Sequence, residues 1–304
     1  SADAAEAREK LMTRRWPAES ILEYIALIDD PTHTANEDGT YNLSETQARA
    51  ILELRLQRLT QIGVKEVTDE LQELAAKIRE YLEILGSRER IMQIIREELT
   101  EARPTYGFLG EETGEVDGQD PTRRWIVDPL DGTTNFLHGL PHWAVSIALE
   151  HKGQLVAAVV YDPTKDEMFV AEKGAGAWMN EMRIRVSPRY RVEDSLYATG
   201  IPFSGRAGEL PETLQDLAKL MPVCAGVRRF GAASLDLAYV AAARYDGFWE
   251  RGLKSWDMAA GLLIAKEAGA LVEGLTPDTD PMETGDVIVA SEAQFEAFAK
   301  ILRS

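Results

Sequence analysis

The chain has 304 residues, long for one domain and comfortable for two, and its 45% hydrophobic and 28% charged residues can bury a sizeable core. A formal net charge of −18 argues against a chain built to bind nucleic acid or an anionic membrane, since nothing in bulk would attract phosphate. One cysteine, Cys224, excludes a disulfide framework and a cysteine-based zinc site. Ser1-Ala2-Asp3 opens no signal pattern, and the longest apolar stretch, Met258 to Val272, is interrupted by Lys266 and Glu267. No membrane span is expected, and the location expected is cytoplasmic.

The first hundred residues read as all-α. Asp29-Asp30-Pro31 and Glu37-Asp38-Gly39 are turn material. Ala48, Ile51, Leu52, Leu54, Leu56 and Leu59 predict a helix apolar on more than one side; Ser44 and Gln47 form a capping box at its start, and Gly63 follows its end. Leu71, Leu74, Ile78, Tyr81, Leu82 and Leu85 predict a second helix, and Ile91, Ile94, Ile95 and Leu99 a third from about Ser87 to Ala102. From Pro104 the pattern changes to short β-rich runs at 125–127, 144–149, 155–161 and 167–171. Helices are expected around 212–220, 234–243 and 257–268, with strands at 247–250 and 287–290. The boundary falls near 99–104, giving an all-α module over 1–102 and an α+β module of layered sheets over 103–304.

Three acidic clusters carry the chemistry of the second module: Gly110-Glu111-Glu112, Asp128-Pro-Leu-Asp131-Gly-Thr-Thr-Asn-Phe136, and Trp256-Asp257-Met-Ala-Ala-Gly261. Carboxylates are hard to gather without a neutralising cation, and Mg²⁺ prefers such oxygen ligands. The Pro129-Leu130 corner can aim Asp128 and Asp131 at one site, and Gly132-Thr133-Thr134 offers backbone N–H groups to a phosphate oxygen. No His or Cys cluster competes, so metal-assisted attack of water on a phosphate ester is the chemistry indicated. Taken singly, each piece has a plainer reading: a solvated Glu111-Glu112 pair, a helix cap at Asp257, and a common Asp-Gly-Thr turn. Nine consecutive residues in the second cluster, with the other two beside them, make those readings improbable together.

With Gly231-Ala-Ala-Ser234 and Glu250 added, these motifs closely resemble the inositol monophosphatase family of Mg²⁺-dependent phosphatases, from about Arg103 to the C-terminus. The resemblance implies a layered α-β-α-β-α sugar-phosphatase fold, here lacking the family's N-terminal helix and hairpin. It implies two or three Mg²⁺ ions, one activating water and another stabilising the leaving oxygen. Glu111, Asp128 and the Leu130 carbonyl would hold the first ion. Asp128, Asp131 and Asp257 would hold the second, and Glu111 a weaker third through water. Gly132 and Thr133 would bind phosphate, with Thr133 beside the attacking water. Asp131, Ala233 and Glu250 would contact the inositol hydroxyls. The family trait of Li⁺ inhibition and a homodimeric state follow from the same resemblance.

Residues from about Ala5 to Leu99 instead resemble a piece of the bacterial DNA gyrase A subunit near its exit gate. Trp16-Pro17, Ile25–Pro31, Glu37–Tyr41, Leu43–Thr60, Ile84–Ser87 and Ile94–Leu99 carry that match. Gyrase's DNA-cleaving tyrosine lies outside this piece and no basic stripe is present, so no specific nucleic-acid partner is expected; Arg55 and Arg58 read as a solvated or salt-bridged pair. The whole reads as a chimera joined through a helix. Counting back from Glu111, the family's water-activating aspartate falls at Arg88, and the hairpin lysine has no counterpart, so phosphatase activity is expected to be impaired. The contrasting expectation is a non-enzymatic fusion in which the gyrase-like segment is a dimerisation or folding module.

Overall fold

The computed structural model describes residues 4–28, 33–53, 61–202, 208 and 210–304. The turn expected at Asp29-Asp30-Pro31, the helical stretch Leu54–Leu59, and Arg55 and Arg58 lie outside the described residues. The chain divides into two compact units, Ser1–Ser87 and Arg88–Ser304. Among the described residues no helix is long and apolar enough to cross a membrane.

In the first unit the elements are α1 (Ala4–Thr13), β1 (Trp16–Pro17), α2 (Leu22–Ile28), β2 (Thr40–Tyr41), α3 (Glu45–Glu53) and α4 (Gln61–Leu85). β1 and β2 form a small antiparallel pair with Trp16 opposite Tyr41. The capping box forms as the sequence predicts: the Gln47 N–H donates to Ser44 Oγ at 3.2 Å and the Ser44 N–H to Gln47 Oε1 at 2.9 Å. Ala48 is buried, while Ile51 and Leu52 stay exposed.

The second unit begins with α5 (Arg88–Ala102), then β3 (Tyr106–Gly110), β4 (Gly114–Val116), β5 (Asp120–Asp131), α6 (Thr133–Leu137), β6 (Ala144–His151), β7 (Gln154–Asp162), β8 (Glu167–Glu172), β9 (Gly176–Met179) and β10 (Met182–Ile184). There follow β11 (Leu196–Thr199), α7 (Leu210–Leu220), β12 (Gly226–Arg228), α8 (Ala233–Ala241), β13 (Gly247–Glu250), α9 (Ser255–Glu267), β14 (Ala270–Glu273), α10 (Pro281–Thr284), β15 (Val287–Ser291) and α11 (Glu292–Arg303). An eight-stranded sheet runs β10-β9-β8-β7-β6-β5-β3-β4, and a five-stranded sheet runs β12-β11-β13-β15-β14.

Burial explains the layering. α8 is buried along its whole length and α9 from Met258 to Ala265, because α9 packs on β5 to β8 while α8 reaches β11, β13 and β15. Side chains alternate along β5: Ile126 faces this helical layer, and Val127 faces the opposite side with Phe108 and Met92 of α5. α7 and α11 contact each other, and α11 covers the small sheet through Phe295, Phe298 and Leu302. The order α5, large sheet, α8 with α9, small sheet, α7 with α11 is the expected α-β-α-β-α layering. The division at 87/88 differs from the expected 102/103, because α5 buries Met92 against β3 and β5 and so joins the sheets.

Candidate active site

Strand ends and helix starts of the second unit meet around one cavity of about 620 Å³. β3 and β5 are parallel with Gly110 opposite Val127, which places Glu111 beside Asp128. Residues three apart on a regular strand point to opposite faces. The β5–β6 register shifts between Asp128 and Asp131, so both carboxylates line the same cavity. Gly132 follows with a left-handed φ of 87° as the cap of α6, a conformation that favours glycine. Asn135 then ties this turn down, donating from Nδ2 to the carbonyls of His142 at 2.8 Å and Phe230 at 2.7 Å.

Every residue expected at the site lines this cavity: Glu111, Asp128, Leu130, Asp131, Gly132, Thr133, Ala233, Glu250 and Asp257. Asp257 is not the cap of α9 but its third residue, accepting from the Lys254 N–H at 2.7 Å. Asp131 accepts from the Ser234 N–H at 2.8 Å and its hydroxyl at 2.5 Å. Thr133 Oγ1 donates to the Leu130 carbonyl at 2.9 Å. Arg88 also lines the cavity: it pairs with Glu111, and its Nε is 3.0 Å from Glu112 Oε1.

The carboxylates repel one another. Burial, then the charges of Asp131, Glu111 and Asp257, hold Asp128 well above the usual carboxylate range. Burial pushes Asp131 up to about 7 against the Ser234 hydrogen bonds, with Asp257 adding to the rise. Asp236, in the first turn of α8, is raised by burial and then by Glu250 and Asp131. Among the described residues no three Asp, Glu, His or Cys side chains are gathered tightly enough to enclose an ion as placed. Asp131 is turned to Ser234, Asp257 to Lys254, and Glu111 to Arg88. The donor set of Asp128, Asp131 and Asp257 nonetheless fits a hard divalent cation, with two buried carboxylates and a half-buried third whose mutual repulsion such an ion would relieve. Glu111 is committed to Arg88.

Sequence reasoning did not single out Gly200, Arg229 or Lys254, which also line the cavity. A Cβ on Gly200 would lie 2.0 Å from Glu250 Oε1, so this glycine makes room for the Glu250 carboxylate. Its partner lies far away in sequence, and no local pattern signals the contact.

The sequence profile of the inositol monophosphatase family matches residues 39–304. The match starts well upstream of Arg103, where the motif resemblance was expected to begin. An inositol-1-monophosphatase of Rhizobium meliloti (strain 1021) is 46% identical over 257 residues, 84% of this chain and 96% of that protein. A Nus factor SuhB of Pseudomonas aeruginosa is 48% identical over 208 residues, 67% of this chain and 77% of its own. The native crystal structure of the extragenic suppressor protein suhB from Bartonella henselae has a TM-score of 0.69 at 48% identity, covering 71% of this chain and 83% of that one.

Proposed function

Because the chain belongs to the inositol monophosphatase family, we propose that its cavity hydrolyses a phosphomonoester of the inositol monophosphate type with Mg²⁺, at a reduced rate. The observation that carries this reading is the convergence of Glu111, Asp128, Asp131 and Asp257 with Gly132 and Thr133 on one cavity. A bound Mg²⁺ supplies charge neutralisation at the phosphoryl oxygens and a more acidic attacking water. Asp128, Asp131 and Asp257 would hold it, with the Leu130 carbonyl as a further oxygen donor, and Glu111 would join them only where Arg88 releases it. Gly132 and Thr133 present N–H groups to the phosphate, and Thr133 orients water. Asp131, Ala233 and Glu250 face the polyol. Inhibition by Li⁺ is expected of the same site.

Support for a reduced rate comes from Arg88. It stands where the resemblance calls for an aspartate beside Thr133, and a guanidinium accepts no proton. The Thr133 hydroxyl donates instead to the Leu130 carbonyl, one of the oxygens an ion would need. The test is phosphate release from inositol 1-phosphate and a panel of other monoesters, with Mg²⁺, with and without Li⁺. Slow, Mg²⁺-dependent release that Li⁺ suppresses and Asp131→Ala abolishes is the expected result. Release unaffected by Asp131→Ala would reject the reading.

A second reading, a fusion whose N-terminal part is a dimerisation module, is favoured by α4. Val67, Leu71, Leu74, Ile78, Tyr81 and Leu85 recur at alternating intervals of four and three and are all exposed. Such a repeat is the seam of a coiled coil. In this reading residues 1–102 are a gyrase-A-like fragment and 103–304 the phosphatase-like domain. The profile match from residue 39 overlaps the first of these. Both readings are compatible with a homodimer.

A further inference from the structure

Five carboxylates line the cavity, Glu111, Asp128, Asp131, Glu250 and Asp257, and so do three cations, Arg88, Arg229 and Lys254. The wall therefore carries a formal charge of −2, which one divalent ion balances. Arg229 is turned to a neutral group, donating to the Ile201 carbonyl at 3.2 Å. Arg88 instead grips two acids, Glu111 and Glu112, with about a quarter of its side chain exposed.

The grip is set by packing. Met92, one helical turn along α5 from Arg88, is 1% exposed and packed with Phe108 and Val127, and Ile95 and Leu99 continue the same contact. A Cβ on Gly110 would lie 2.7 Å from the Met92 methyl, so α5 is pressed against the end of β3. Glu111 is the next residue. A helix fixed there carries its first residue, Arg88, to the acids that follow β3. A guanidinium keeps its charge at every pH a protein survives, and its planar fork suits carboxylates.

We propose that Arg88 is a built-in cation standing in for one divalent ion, so that this chain binds one ion fewer than it would with a neutral residue 88. The proposal rests on the metal-dependent reading of the cavity. Glu111, held by Arg88, is withdrawn from the donor set, and Asp128, Asp131 and Asp257 serve the ion that remains.

The test is Mn²⁺ stoichiometry by equilibrium dialysis on the full chain without substrate. Arg88→Gln should bind one more Mn²⁺ per chain than the native protein, whereas Arg88→Lys, which keeps the charge, should keep the native count. In the native background Glu111→Gln should leave the count unchanged, which tests the idea even if Arg88→Gln does not fold. Equal counts for the native chain and a folded Arg88→Gln would overturn the proposal, as would loss of an ion in Glu111→Gln. Mn²⁺ bound by none of the chains would overturn the metal-dependent reading itself.

Discussion

Single residues decide how the cavity is shaped. The carboxylate of Glu250 occupies the space that any side chain on Gly200 would need. Gly200→Ala should therefore raise KM for a polyol phosphate by about ten-fold, the scale of a misplaced positioning group, with a much smaller change in kcat. An unchanged KM would remove Glu250 from substrate contact. His142 offers a pH test. Burial, and then the charge of Lys165, hold it down to about 4, so the folded chain keeps it neutral while the unfolded chain protonates it near the usual 6.5. Between pH 6.5 and 4 the unfolded state thus binds the extra proton, and acidification lowers stability through this residue. Asp131, raised to about 7, works in the opposite direction, so the comparison must be between chains. The urea midpoint of His142→Gln should fall less from pH 6.5 to 4.5 than that of the native protein. Parallel curves would contradict a buried neutral imidazole. The nine residues expected at the site all line the cavity; the acidic clusters made Glu111, Asp128, Asp131 and Asp257 stand out, whereas Ala233 and Glu250 came only from the family resemblance. Arg88 was legible by counting, but its grip on Glu112 was not, since that depends on how α5 docks.

At the scale of elements, the core is set by close approach of helices and sheets. Gly261 of α9 faces Leu237 of α8, and a Cβ there would lie 2.5 Å from the Leu237 Cβ. Gly261→Ala should lower stability by about 1–3 kcal/mol through overpacking, read as a lower denaturant midpoint with an unchanged m-value. A neutral effect would mean the two helices separate without penalty. The sequence signalled elements where one periodicity dominates: the capping box at α3, the stripe of α5, and the β-rich runs that became β6 to β8. It placed α9 at 257–268 but left β14 unread, because that strand is four residues long, has Leu271 exposed, and is set off from the helix only by Gly269 at φ 99°. The amphipathic α11 went unread although Phe295, Phe298 and Leu302 share one face. The bulge that turns Asp128 and Asp131 into one cavity arises from pairing with β6 and has no local signature.

At the scale of the whole molecule, the two units raise separate questions. The exposed seam of α4 predicts self-association: sedimentation velocity should show a dimer that Leu71→Lys with Ile78→Lys converts to monomer. A monomer at high micromolar concentration before mutation would exclude that role for α4. For the second unit, α5 completes the layered fold and at the same time delivers Arg88 to the cavity, so the proposed reduction in activity would come from the helix that the fold needs. The most direct measurement is Mg²⁺-dependent release of phosphate from inositol 1-phosphate by the native chain, Arg88→Asp and Asp131→Ala, side by side. The expected result is slow turnover by the native chain, none by Asp131→Ala, and an increase in kcat of up to about 10²-fold in Arg88→Asp, the scale of a restored proton acceptor. Fast turnover by the native chain that Arg88→Asp leaves unchanged or lowers would contradict it.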